Sequence, residues 1–208
     1  MSWRLFTGVV LAIGLAAGPA LACKGKNVLF EDNFKDADPA WASGEGFAID
    51  FGQAKISVKP NGGLTSLYGG SLFEDADMCV DVTIPEAKQT NYTAGGIVFW
   101  AQDYGNYYGL FIDAGGGAAV IRLQNGKWLY PVSWRKADSV KARAGQTNTI
   151  RVTLKGNTGV AYINDKQFAT FKGAPPADGS QMGLHGESEA DRVNTWSFSN
   201  IKITDLPR

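Results

Sequence analysis

The sequence predicts an all-β protein, a sandwich or barrel of short antiparallel strands. Three observations carry this. From Val28 onward nearly every segment alternates apolar and polar residues with period two. Turn residues interrupt these segments about every 8–12 residues, the spacing of sandwiches and barrels. Glycine, at 26 of 208 residues, is nearly double its usual share, and tryptophan, at six, is also high.

The elements follow in order. VLFEDNF opens the domain, and Pro39-Ala40-Trp41 follows an Asp-rich turn. GFAIDFG, AKISVKP and LTSLYGG are three short strands separated by Gln53 and by Asn61-Gly62-Gly63. DMCVDVTI alternates Met78, Val80 and Val82 against Cys79, Asp81 and Thr83. Then come GGIVFWA, NYYGLFID, AAVIRLQ and KWLYPVSW, which concentrate Phe99, Trp100, Tyr104, Tyr107, Tyr108, Phe111, Trp128, Tyr130 and Trp134 between Gly95 and Trp134. Such aromatic runs cut by Gly and Asn read as neighbouring strands. Arg135 to Ala144 is short and charged, ends at Gly145, and reads as a loop. NTIRVTLKG, TGVAYINDK and QFATFKG follow, with Asn164-Asp165 suited to a tight hairpin turn. MGLHG and TWSFSNIKITDL complete about a dozen strands. No second domain, linker or internal repeat is visible.

Alternation also assigns faces. Ile97, Phe99, Tyr108, Leu110 and Ile112 form a core set, and Ile121 and Leu123 are expected to be buried. Trp100, Tyr107, Asp113 and Arg122 are expected to share an outward face, with Phe111 among them. Rings beside a carboxylate and a guanidinium suit a sugar, whose C–H patches stack while its hydroxyls take directed hydrogen bonds. The alternative is that both faces are buried and these residues only pack.

Residues 1–22 read as a cleaved secretory signal: Arg4, an apolar run from Leu5 to Ala17, then Ala20-Leu21-Ala22. The run is shorter than the roughly 20 residues that span a bilayer. The expected product is a single exported domain, 23–208, periplasmic or secreted. Without Arg4 it carries 19 Lys+Arg against 20 Asp+Glu, which offers no electrostatic reason to expect nucleic acid or anionic membrane as a partner. Cys23 and Cys79 are the two cysteines, and an oxidising compartment favours one disulfide between them. Closing that loop stabilises by about 4 kcal/mol in the chain-entropy model. A lipid anchor at Cys23, or a reactive thiol, is the other reading.

The order VLFEDNF…W, GGIVFW, NYYGLFID, NGKW, NTIRVTLKGNTGVAYINDKQFATF and MGLHG…WSFSNIKI resembles the concanavalin A-like lectin/glucanase superfamily. Within it, the chain resembles most the LamG-like and 3-keto-disaccharide hydrolase-like domains of bacterial secreted proteins. The resemblance covers nearly all of 23–208 and implies a two-sheet antiparallel jelly-roll β-sandwich with glycan recognition on one sheet face. It also raises a structural calcium, for which Asp32, Asp36 and Asp38 are the candidates. Otherwise no cofactor is expected, and with one histidine zinc is not.

Catalysis finds weaker support. Retaining glucanases of the superfamily carry Glu-x-Asp-x-x-Glu on one strand, and this string is absent. Glu187, Glu189 and Asp191 alternate and would share a face if extended, but their segment reads as an acidic loop. His185, the sole histidine, sits at a strand end, and an imidazole is a side chain suited to proton transfer. The expectation is an exported domain that binds a glycan or other extracytoplasmic polymer without catalysing, through Trp100, Tyr107, Asp113, Arg122, Trp134 and His185. The rivals are a glycoside hydrolase of the 3-keto-disaccharide type and an envelope module that binds a protein partner.

Overall fold

Residues 23–207 are described by a computed structural model, so the expected signal segment, 1–22, lies outside the described residues. The first five strands are β1 (Val28–Asp32), β2 (Phe47–Asp50), β3 (Gln53–Val58), β4 (Gly63–Leu67) and β5 (Ala76–Thr83). After a 3-10 turn at Thr90–Tyr92 come β6 (Ala94–Asp103), β7 (Asn106–Asp113), β8 (Gly117–Gln124) and β9 (Lys127–Lys136). The last five are β10 (Thr147–Lys155), β11 (Thr158–Ile163), β12 (Lys166–Lys172), β13 (Gln181–Glu187) and β14 (Asn194–Thr204). No helix among the described residues is long and apolar enough to cross a membrane.

The strands form two antiparallel sheets. One is ordered β12-β11-β10-β5-β14-β3-β2, with β1 added against β14; the other is ordered β4-β13-β6-β7-β8-β9. This is the expected jelly-roll sandwich. Turn chemistry behaves as predicted. Asn164 and Asp165 both take left-handed φ values, 48° and 63°, and close the β11–β12 hairpin on the pair Ile163–Lys166. Asn125 and Gly126 do the same between β8 and β9. The stretch 137–144 contains no helix.

The core between the sheets includes the predicted set Ile97, Phe99, Tyr108, Leu110 and Ile112, packed against Val80, Val82, Ile150, Val152 and Leu154 of the facing sheet. Each such side chain, fully buried, contributes about 1.5–3 kcal/mol. Trp196 of β14 lies among them, and its indole N–H donates to the Glu187 carbonyl of the opposite sheet at 3.0 Å. Two glycines make room for the indole. A Cβ on Gly95 would come within 2.5 Å of the Trp196 ring, and one on Gly186 within 2.8 Å.

The predicted outward face needs three corrections. Trp100 is buried between the sheets, edge-on to Tyr108 at 5.1 Å and to Phe171 at 5.9 Å. Its φ of 49° marks a bulge that shifts the β6–β7 register after Phe99, so Phe99 and Trp100 both enter the core. Arg122 pairs across the strands with Tyr108 and lies over its ring at 5.1 Å, on the side opposite Ile121. Asp113 is 7 % exposed, and its Oδ1 accepts the N–H groups of Gly115 and Gly117, tying down the β7–β8 turn. The four residues therefore do not share a face.

Cys23 and Cys79 are disulfide-bonded, as expected. The bond consumes the thiol that a lipid anchor or a reactive cysteine would need. Beside it, buried Asp77 accepts the Lys24 N–H at 2.8 Å and Arg151 Nε at 2.6 Å, which fixes the start of the domain to β5 and β10.

Candidate functional site

The outer face of the six-stranded sheet carries a second apolar cluster, made of Leu67, Val98, Tyr107, Phe111, Ala119 and Ile121 with Leu123 against it. Ile121 is buried as expected and Leu123 partly so, and both pack on this outer face. Above the cluster opens a cleft of about 1240 Å³.

Its floor follows from strand register. Thr65 of β4 pairs with His185 of β13, His185 with Gly96 of β6, and Gly96 with Phe111 of β7. Gly96 leaves no side chain between them, and a Cβ there would collide with the Leu110 backbone of β7. His185 and Phe111 stack with centroids 4.6 Å apart and planes 1° from parallel. On its other side His185 Nδ1 lies 2.7 Å from Thr65 Oγ1, which is 3.4 Å from the Tyr107 hydroxyl. His185 is 3 % exposed, and its Nε2 lies 3.5 Å from Glu187 Oε1. Burial pushes the Tyr107 phenol above its usual pKa; the Thr65 hydrogen bond opposes this and the Glu187 charge adds to it. Tyr107 is thus a neutral hydroxyl at physiological pH.

One wall is built by the edge strand β9. Trp128, Tyr130 and Trp134 line the cleft and are all substantially exposed, while Val132 between them enters the core. Two register shifts against β8, on either side of Val120, produce this pattern. The first turns Val132 inward and the second returns Trp134 to the outer face. Tyr107 and Trp128 meet at 6.2 Å in an edge-on contact.

Of the predicted binding residues, the structure brings Tyr107, Trp134 and His185 to the cleft and places Trp100, Asp113 and Arg122 elsewhere. Of the catalytic candidates, His185 and Glu187 line it, and Glu189 and Asp191 do not. Glu189 is fully buried behind the site, where it accepts the N–H groups of Gln89 at 2.5 Å and Lys88 at 3.0 Å. Burial raises its pKa, but the Gln89 and Lys88 donors, Asn194 and the Arg192 charge bring it below the usual carboxylate range. Asp191 is exposed in the turn beyond, so the three acids share no face.

Two of the N-terminal aspartates are engaged in local hydrogen bonds. Asp32 accepts the Trp41 indole N–H at 2.8 Å and the Phe34 N–H at 2.7 Å. Asp38 accepts the Ala40 N–H at 2.8 Å and the Tyr68 hydroxyl at 3.1 Å, while Asp36 is exposed. Among the described residues no group of three or more metal-ligating side chains occurs.

Sequence reasoning named Trp128 and Tyr130 as aromatic without choosing them for the site. Pro131 was the available signal. A proline inside a strand pattern marks an edge or a bulge, where neighbouring rings are left uncovered.

No protein-family model matches the chain, and no curated protein matches it in sequence. Solved structures do match its fold. The carbohydrate-binding module CBM66 from Bacillus subtilis is 18 % identical, with a TM-score of 0.64 over 80 % of this chain and 96 % of that one. The Bacillus licheniformis beta-glucanase is 10 % identical, with a TM-score of 0.63 over 85 % and 97 %. The catalytic domain of an endo-1,3-beta-glucanase (laminarinase) from Thermotoga petrophila is 7 % identical, with a TM-score of 0.65 over 89 % and 100 %. The fold is therefore the concanavalin A-like jelly roll.

Proposed function

We propose that this is an exported glycan-binding domain whose site is the cleft between β4 and β9, and that it binds without catalysing. The observation that carries the reading is the row of Trp128, Tyr130 and Trp134, large rings left in solvent beside a cleft floored by Tyr107, Phe111 and His185. Leaving such rings exposed gives up their burial energy, and stacking on sugar C–H faces is a use that restores it. A carbohydrate-binding module and glucanases among the structures of the same fold support the reading. Export is supported by the composition of residues 1–22 and by the disulfide.

The test is affinity for a panel of oligo- and polysaccharides, measured on the wild type and on Trp128→Ala and Trp134→Ala. Each variant is expected to lose affinity by about 1 kcal/mol, roughly fivefold, while its stability stays within about 0.5 kcal/mol. Binding that survives both substitutions unchanged removes the cleft from consideration.

One observation favours hydrolysis as a second reading: His185 Nε2 and Glu187 Oε1 lie 3.5 Å apart at the cleft. Against it, the two carboxylates lining the cleft are Glu187 and Glu45, and Glu45 is held at 3.0 Å by Lys59 on the exposed rim. Turnover of any glycoside that disappears in Glu187→Gln would establish the hydrolase.

A further inference from the structure

We infer that the cleft takes an uncharged stretch of polysaccharide several units long, laid along β9, and rejects polyanionic glycans. The inference rests on the glycan-binding reading and adds the chemical class and length of the ligand.

Charge argues for the class. The ionisable groups lining the cleft are Glu45, Glu187, His185 and tyrosines; no lysine or arginine lines it among the described residues. Of the cations nearby, Arg122, Arg135 and Lys136 are engaged away from the cleft. Arg122 lies over Tyr108 on the other side of the sheet. Arg135 lies over Phe168 at 4.7 Å and donates to its carbonyl. Lys136 donates to the Gly115 carbonyl, and Lys59 is held on Glu45. A uronate or sulfate group would meet Glu187 in a partly desolvated cleft, and the cation at its rim, Lys59, is already paired with Glu45. Neutral hydrogen-bonding groups are present instead, among them Asn61, Gln89, Asn91 and Tyr104.

Geometry argues for the length. Trp128 and Trp134 are six residues apart on one strand, so the ring row extends about 20 Å at 3.3 Å per residue, less what two bulges take up. This is longer than one sugar needs. Because β9 is the edge of its sheet, no further strand closes the row on that side.

The experiment is titration calorimetry of the wild-type domain with neutral gluco-, manno- and fructo-oligosaccharides of two and six units and with hexameric oligogalacturonate. At least one neutral hexamer is expected to bind about tenfold or more tighter than its dimer. Oligogalacturonate is expected to show no heat of binding. In Gln89→Lys, which places a cation at the rim, oligogalacturonate binding is expected to appear. Tight oligogalacturonate binding to the wild type, or equal affinity for dimer and hexamer, overturns the inference while leaving glycan binding intact. If no probe binds, both readings fall together.

Discussion

His185 and Phe111 lie face to face across Gly96, their ring centroids 4.6 Å apart, although two strand spacings separate their backbones. Two side chains on β13 and β7 thus form one platform above the Gly96 backbone. With Thr65 and Tyr107 beside it, this platform is the rigid part of the cleft, and the rings of β9 are the solvent-exposed part.

The platform predicts a coupled loss in Phe111→Ala. Phe111 is 1 % exposed, so its truncation is expected to cost about 3–5 kcal/mol of stability. The His185 ring also loses its support, so ligand affinity should fall. Denaturant unfolding and ligand titration on the same preparation check this; unchanged stability would contradict the packing described.

Trp100 makes the opposite prediction. Enclosed by Phe99, Tyr108 and Phe171, it is expected to cost about 3–5 kcal/mol when changed to alanine, with little change in affinity per folded molecule. A well-folded Trp100→Ala protein that has lost its ligand would restore Trp100 to the binding face.

Gly95→Ala tests the link between the sheets. The new methyl would meet the Trp196 ring at 2.5 Å, and overpacking of this kind costs about 1–3 kcal/mol. Because Trp196 holds the Glu187 carbonyl, the strain should also appear as a shift of the Glu187 and His185 resonances in NMR spectra. Gly105→Ala, at an exposed turn where the nearest contact is the Asp103 carboxylate at 3.3 Å, is the matched control.

Glu189 sets an acid limb. Its pKa is lower in the folded than in the unfolded protein, so it contributes stability that is present above its unfolded value near 4.3. That contribution is lost as pH falls through the lower folded value. Glu189→Gln should therefore be destabilised most at neutral pH, with the difference from wild type shrinking below about pH 4. Thermal melts across pH 2.5–7 read this; a constant difference would show that the charge is not what Gln89 and Lys88 hold.

Much of the fold was legible because its determinants are local. Alternation marked the strands, and Asn164-Asp165 and Asn125-Gly126 carried their hairpins in their own backbone preferences. The core set Ile97, Phe99, Tyr108, Leu110 and Ile112 followed from the same period. The site was only half legible. Tyr107, Trp134 and His185 were identified, but Trp100 was placed on the wrong face because nothing in Phe99-Trp100-Ala101 announces a left-handed residue. One inserted residue reverses every side chain beyond it, so a single unseen bulge is enough to misplace a ring.

The sequence by itself determined an all-β sandwich and an excess of aromatic residues between Gly95 and Trp134. The tertiary structure decided which rings work where. Burial depends on what the second sheet covers, and register depends on bulges stabilised by packing across strands distant in sequence. Those contacts took Trp100 and Arg122 away from the outer face and left Trp128, Tyr130 and Trp134 on it.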